Sequence, residues 1–359
     1  MEESKVKKIL KRYFIDAMGA MAQGLFASLL IGTIFNALGM IPGLSILSQI
    51  GKMAQGVAGP AMAVAIAWAL KADPLVIFSC AAVGSLANSL GGAGGPLAVF
   101  FIAIIAVEIG MLVSKKTKVD ILVTPFVTIL VGGLLSIWTA PYIGKVAALI
   151  GDFIGWAMTC QPFLMGVIVS VVVGVVLTLP ISSAAICSAI GLSGMAVYNA
   201  GVLVERDYTG LALAGGAAVA GCCAQMVGFA VMSYRENKVG GLVSQGLGTS
   251  MLQMPNIIRN PRIWIPATLA SAITGPLATC VFELKMYGAA INSGMGTCGL
   301  LGPIGIVLGW FGGEYPNAVT AKDWIGLVLI CFVLPAILSE VFCLILRKLG
   351  WIKENDLKL

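Results

Sequence analysis

The sequence predicts an all-α polytopic membrane protein of about ten transmembrane helices, with two re-entrant hairpins and amphipathic helices at the interface. Three observations lead there. Only 11% of the 359 residues are charged, and 59% are hydrophobic, where soluble domains carry roughly 25% charge. Mean hydropathy is +0.99. The basic residues gather in a few short patches instead of spreading over a surface. Such a chain cannot cover a water-facing surface with polar groups, which excludes a soluble enzyme. Its hydrophobicity also excludes disorder.

A helix needs about 20 apolar residues to cross a bilayer. Runs of that kind lie near 15–37, 57–71, 74–90, 97–114, 120–138, 162–180, 183–203, 209–232, 263–283 and 324–346. The first is too long for the apolar core of a signal peptide, and no clear cleavage site follows it. No acyl or prenyl motif is expected at either end. The chain reads as a single transport-type domain over residues 1–359.

Net charge is +6, and 16 of the 22 Lys and Arg fall in four patches. These are Lys5, Lys7, Lys8, Lys11 and Arg12; Lys115, Lys116 and Lys118; Arg235, Lys238, Arg259 and Arg262; and Arg347, Lys348, Lys353 and Lys358. Clustered Lys and Arg in short loops mark the cytoplasmic side. An even number of spans then places both termini and all four patches inside. No basic soluble domain is present to bind nucleic acid.

Several stretches fit no span. Ile41–Gln55 and Pro141–Trp156 are apolar but interrupted, and read as interfacial amphipathic helices. Gly240–Met254 has a polar side and reads as lying on the cytoplasmic surface. Two glycine-rich breaks interrupt membrane-grade sequence: SLGGAGGP (89–96) and NSGMGTCGLLGP (292–303). Glycine and proline both weaken a helix. Non-helical backbone at membrane depth persists only where protein or a watery cavity satisfies it. Gly-Pro followed by an apolar helix recurs at 59–60, 95–96, 275–276 and 302–303. Proline suits a first helical turn, and half-helix N-termini pointing at a substrate are a transporter device.

The chemistry-bearing residues follow from these breaks. Asn88, Gly92, Gly94 and Gly95 belong to the first; Asn292, Ser293, Gly294 and Thr297 belong to the second. Amides and hydroxyls beside close-approach glycines suit a polyhydroxyl ligand. Glu283 ends a span just before the second break. It pairs with Lys285 or faces a substrate hydroxyl, since a carboxylate accepts bidentate bonds and takes up a proton. Asp16, Glu108 and Glu340 lie near span ends with Arg12, Lys115 and Arg347 beyond them, an arrangement that reads as interfacial ion pairing. Gln225 and Asn256 read as satisfying backbone groups. The nine cysteines form no C-x-x-C and read as small buried hydrophobes. There is no histidine, so a metal site would lack its commonest ligand. No metal or cofactor is expected. No Walker A loop is present, and a Ser-His catalytic pair is impossible.

Three blocks carry a resemblance: NSLGGAGGPLAVFFIAIIAVEIGMLVSKKTKVDILVTP (88–125), LPISSAAI (179–186) and TGPLATCVFELKMYGAAINSGMGTCGLLGPIGI (274–306). The chain resembles the enzyme IIC-like membrane proteins of the phosphoenolpyruvate sugar phosphotransferase system. Within them it is most similar to the branch that includes a proposed regulator of the perfringolysin O toxin. The resemblance implies a ten-span, usually dimeric domain of the bacterial inner membrane whose two re-entrant hairpins hold a sugar. It implies elevator-like movement and sugar phosphorylation by a separate enzyme IIB, with IIA and IIB as cytoplasmic partners. Sugar-transporting members carry a functional histidine and a Gly-x-x-Glu-Pro motif; this chain has neither, and Glu283 is a loose stand-in.

Three functions remain open on the sequence. The first is a transport subunit for a sugar or similar small polar solute. The second is a membrane sensor that controls gene expression. The third is a proton- or ion-coupled carrier resting on Glu108 and Glu340.

Overall fold

The computed structural model describes residues 11–39, 43–194, 198–199, 202–203, 208–311, 315 and 318–359. Residues 41–42 of the first expected interfacial helix, and Lys5, Lys7 and Lys8, lie outside them. The chain forms two compact units, Met1–Ala147 and Ala148–Leu359. Both are built of helices. Among the described residues six helices are long and apolar enough to cross a membrane, or seven if one bent pair counts as a span.

In the first unit, α1 (Lys11–Asn36) is followed by the bent pair α2 (Ser45–Gly56) and α3 (Ala58–Ala69), which turn by 48°. The helix α2 covers most of the first stretch expected to be an interfacial amphipathic helix. It packs on α1: Asn36 Nδ2 donates to Gln55 Oε1 at 2.9 Å, and Ser48 Oγ to Asn36 Oδ1 at 3.2 Å. Its polar side has partners inside the protein. Next come α4 (Pro74–Gly91) and α5 (Gly95–Val113), each begun by a proline in its first turn. At 1.5 Å per residue they are each about 27 Å long. They run antiparallel, because Val76 lies beside Gly110 and Gly91 beside Ala98.

A third helix, α6 (Asp120–Ala157), runs for 38 residues with Pro125 and Pro141 inside it. The expectation of a span followed by a separate helix at Pro141 is corrected: the helix continues. Proline in a membrane helix is tolerated where neighbours re-satisfy the freed carbonyl. At about 57 Å, α6 exceeds a hydrocarbon core of about 30 Å. Its outward face is apolar, with Ile121, Leu122, Phe126, Trp138 and Tyr142 exposed. The boundary between the units falls within it.

The second unit is built on α7 (Pro162–Thr178), α9 (Tyr208–Met232), α12 (Pro261–Val281) and α14 (Ala321–Lys348). Small residues let these helices approach backbone to backbone. A Cβ at Gly221 of α9 would overlap the Ser170 carbonyl of α7. One at Gly166 would lie 2.9 Å from the Gly275 carbonyl of α12. Between them, α8 (Ser183–Ile190) is only eight residues long. The expected span 183–203 is therefore corrected, since eight residues cover about 12 Å. Ser182 caps its start by accepting from the Ala185 N–H at 3.2 Å, and Gly191 at φ +71° ends it. Beyond it, β1 (Tyr198–Asn199) and β2 (Val202–Leu203) pair antiparallel, Tyr198 opposite Leu203.

The remaining helices of this unit are α10 (Tyr234–Val243), α11 (Met254–Arg259) and α13 (Leu301–Phe311). The stretch Gly240–Met254 does not present a polar side to water. Gln245, Ser250 and Gln253 are fully buried. Three of the four Gly-Pro steps stand at helix starts, but Pro276 lies inside α12.

Candidate functional site

The first break lies in the first unit and is a tight turn between α4 and α5. Gly92 sits at φ +51° with nothing near a Cβ, so its conformation alone calls for glycine. Gly94 and Gly95 are fixed by contact instead. A Cβ on Gly94 would lie 2.8 Å from the Ile143 carbonyl of α6, and one on Gly95 2.5 Å from Asn88 Oδ1. Asn88 is half-buried, with its Cβ against Gly59 of α3 and its carboxamide oxygen over the first turn of α5. An amide at a helix start is a polar group set beside positive dipole ends.

The second break lies in the second unit and is longer. Glu283 takes a positive φ of 49°, and the backbone then runs without helix to Tyr287. This strip lies along α9, where Gly216 leaves no room for a Cβ against the Leu284 carbonyl. Its backbone groups are paired. Met286 N–H donates to Ala212 O, Gly194 N–H to Met286 O, and Leu284 N–H to Ala278 O, each at 2.8 Å. Two short turns, Ala290–Gly294 and Cys298–Leu300, lead into α13. Ser183 of α8 donates to Gly294 O at 2.7 Å, and Ser293 Oγ to Leu192 O at 2.6 Å. The residues 179–194 thus form a second irregular segment docked against the break. This partner was missed as a functional element; Ser182, Ser183 and the Gly-Leu-Ser-Gly at 191–194 were its sequence signal.

Within that package Asn292, Ser293 and Thr297 are all buried. Asn292 Nδ2 lies against Gly305 of α13, 2.7 Å from where a Cβ would be. Gly296, at φ +52°, packs on Cys222. Thr297 Oγ1 is buried and has no hydrogen-bond partner among the described residues. A buried hydroxyl left unpaired costs about 1–3 kcal/mol, so this atom is the natural receiver of a ligand or water.

Glu283 is placed elsewhere. It lines a cleft of about 240 Å³ with Phe282, Lys285, Tyr315, Lys322 and Asp323; Asn292, Ser293, Gly294 and Thr297 are not among the lining residues. Lys285 Nζ lies 3.6 Å from Glu283 Oε2. Tyr315 donates to Asp323 Oδ1 at 3.1 Å. Burial, then the Asp323 carboxylate, pushes the Tyr315 phenol up to about 12.

Four further acids are paired, and for Glu108 and Glu340 the partners differ from those expected. Arg12 Nη2 binds Glu108 Oε1 at 2.7 Å, and Tyr13 donates to the same oxygen at 2.9 Å. Lys115 pairs with Asp73, Arg347 with Glu236 at 2.6 Å, and Arg235 with Glu340 at 3.6 Å. Gln225 is a fully buried hub. Its Oε1 accepts from Trp264 Nε1 at 3.0 Å and Thr178 Oγ1 at 3.3 Å, and its Nε2 donates to Thr268 Oγ1 at 3.3 Å. Among the described residues no cluster of His, Cys, Asp or Glu could hold a metal ion.

A family model described as phosphotransferase system, EIIC, matches residues 15–359. No significant match arises among curated proteins or among solved structures. The family match runs through both units and includes both glycine breaks and the docked segment 179–194. With it, the apolar helices and the broken backbone between them have a common origin: the chain belongs to the phosphotransferase system EIIC family.

Proposed function

We propose that this chain is the membrane subunit that carries a sugar or similar small polar solute, and that residues 1–359 work as one transport domain. The observation that carries the reading is Thr297 Oγ1, buried and unpartnered inside a broken membrane segment. Asn292 and Ser293 share that break, and Gly294 and Gly296 bring its backbone close to α8 and α9. Asn88 is the corresponding amide at the first break. Neutral donors and acceptors of this kind match a polyol better than an ion. Glu283 belongs to an outlying charged cleft in this reading and first meets solute there.

The same reading includes a homodimer in a bacterial inner membrane; the basic patches support cytoplasmic termini. Coupling to phosphoenolpyruvate through separate IIA and IIB proteins is part of this reading, and family membership supports it. The absence of histidine favours a second reading, a sensor of the same branch as the perfringolysin O regulator, in which solute binding is reported without phosphotransfer.

Uptake by membrane vesicles, with and without phosphoenolpyruvate and the soluble phosphotransferase proteins, tests the proposal. A phosphorylated internal sugar supports the transport reading, and Asn292→Ala and Thr297→Val should both reduce its accumulation. A panel of sugars and sugar phosphates that neither bind nor enter would overturn the solute class.

A further inference from the structure

Residues 349–359 fold back along the end of α14 and fill a slot made almost wholly of side-chain amides. The reversal is a glycine C-cap. Gly350 sits at φ +71°, its N–H donates to Arg347 O at 3.0 Å, and the Trp351 N–H donates to Leu346 O at 2.9 Å. This paired closure is the standard way a left-handed glycine ends a helix and turns the chain around.

The slot is supplied by residues 237–260. Asn237 Nδ2 donates to Leu357 O at 2.7 Å, while its Oδ1 accepts from the Leu359 N–H at 2.9 Å. Gln253 Nε2 also donates to Leu357 O at 2.9 Å, and Asn256 Nδ2 to Lys358 O at 2.8 Å. Asn260 Nδ2 reaches Trp351 O at 2.9 Å. These amides are held from behind: Gln253 donates to Gln245 Oε1 at 2.8 Å, and Gln245 donates to Ser233 Oγ at 2.7 Å.

Two features separate this from ordinary tail packing. Five of the six hydrogen bonds between slot and strap involve strap backbone, so the slot chiefly recognises a peptide main chain; the sixth, from Asn260 Nδ2 to Asp356 Oδ2 at 2.8 Å, reads one side chain. Of the strap side chains only Ile352 and Leu357 are buried, at 2% and 0% exposure, so specificity rests on two aliphatic sockets and the Asp356 carboxylate. Amides that pair with main chain and pockets that take apolar side chains are ingredients of peptide recognition.

We propose that residues 237–260 form a peptide-binding slot and that the strap 351–359 is its exchangeable internal ligand. While seated, the strap fastens the end of α14 to α10 and α11. When it leaves, the slot accepts another peptide segment of the same chemistry: main-chain carbonyls, two aliphatic side chains and a carboxylate for Asn260.

The test uses the full-length protein in nanodiscs and a fluorescent synthetic peptide of residues 350–359. Leu357→Asp should unseat the strap and open the slot to the peptide. Wild type should bind it about tenfold or more weakly, because a tethered competitor acts at an effective concentration in the millimolar range. Adding Gln253→Ala and Asn256→Ala to Leu357→Asp should abolish binding. Hydrogen exchange on wild type gives a measurement that needs no variant: amides of 352–359 should exchange faster than those of α14. Equal peptide binding by wild type and Leu357→Asp, no binding by a folded Leu357→Asp, or strap amides that exchange only as slowly as those of α14 would each overturn the proposal.

Discussion

Ser183 donates its hydroxyl to the carbonyl of Gly294 at 2.7 Å, joining two irregular segments that lie 111 residues apart in the chain. Each segment is short of regular backbone partners, and each supplies what the other lacks. Ser293 returns the favour by donating to Leu192 O. Ser183→Ala should leave the buried Gly294 carbonyl unpaired. Hydrogen bonds between membrane helices average about 0.6 kcal/mol and reach about 1.7, and a loss in that range should lower the thermal midpoint. Ser136→Ala is the control, since Ser136 bonds only within its own helix, to Gly132 O at 2.7 Å. Equal effects of the two substitutions would count against a special role for the junction.

Glu108 bears on proton coupling. An acid that carries protons needs freedom to lose and regain its partner, but Glu108 accepts from both Arg12 and Tyr13. Partly exposed pairs of this kind contribute about 0–1 kcal/mol. Glu108→Gln should therefore keep uptake within about fivefold of wild type, the factor that corresponds to that energy. Complete loss of uptake, with the protein still folded and inserted, would restore the proton-coupled reading.

Gly216 and Gly92 are both glycines in the candidate site, yet they should respond differently to alanine. At Gly216 a Cβ would overlap the Leu284 carbonyl, and the strip 283–287 cannot move away without losing its bonds to α9 and to Gly194. At Gly92 there is open space, and the cost is that of a backbone at φ +51° and ψ −122° that favours glycine, about 1–3 kcal/mol. Detergent-solubilised Gly216→Ala should aggregate or lose most of its yield, while Gly92→Ala should purify with a modestly lower thermal midpoint.

This contrast shows how much the sequence could reveal. The spans were legible because burying apolar side chains is a local, additive requirement, visible in runs such as Tyr208–Met232. The breaks were legible because glycine and proline oppose helix at the positions where they stand. The reason for each glycine was not legible. Gly94 depends on Ile143, and Gly216 on Leu284, and nothing in the sequence pairs them. The same holds for the ion pairs. Proximity along the chain suggested Lys115 for Glu108 and Arg347 for Glu340, but helix packing brings Arg12 and Arg235 instead. Pro141 misled for a different reason: in a membrane helix the freed carbonyl finds other partners, so the helix continues through it.

Asp73 lies outside the spans, between α3 and α4, and its carboxyl is held below the usual range chiefly by the hydrogen bond from Lys115. A carboxyl with a depressed folded value stabilises above its unfolded value, about 3.9, and loses that contribution as pH falls through the folded value. The thermal midpoint of wild type should therefore drop on acidification below about pH 4. Asp73→Asn should flatten that part of the profile. An unchanged acid slope would mean that the pair with Lys115 contributes nothing.

Tyr315 gives the opposite window. Burial raises its phenol to about 12, and the Asp323 carboxylate that accepts its hydroxyl adds to the effect by opposing a second negative charge. A folded value above the unfolded one, about 10 for tyrosine, means that the neutral phenol stabilises below that pH. The contribution is lost as pH rises from about 10 towards 12. In a phenolate absorbance titration, the difference between wild type and Tyr315→Phe should isolate one group with a midpoint near 12. Asp323→Asn should move that midpoint down, because burial remains but the neighbouring charge is gone. The size of the movement separates the two causes: no change assigns the whole effect to burial. A difference titration already at the ordinary tyrosine value in wild type would mean that Tyr315 does not face Asp323, and the charged cleft around Glu283 would lose one of its walls.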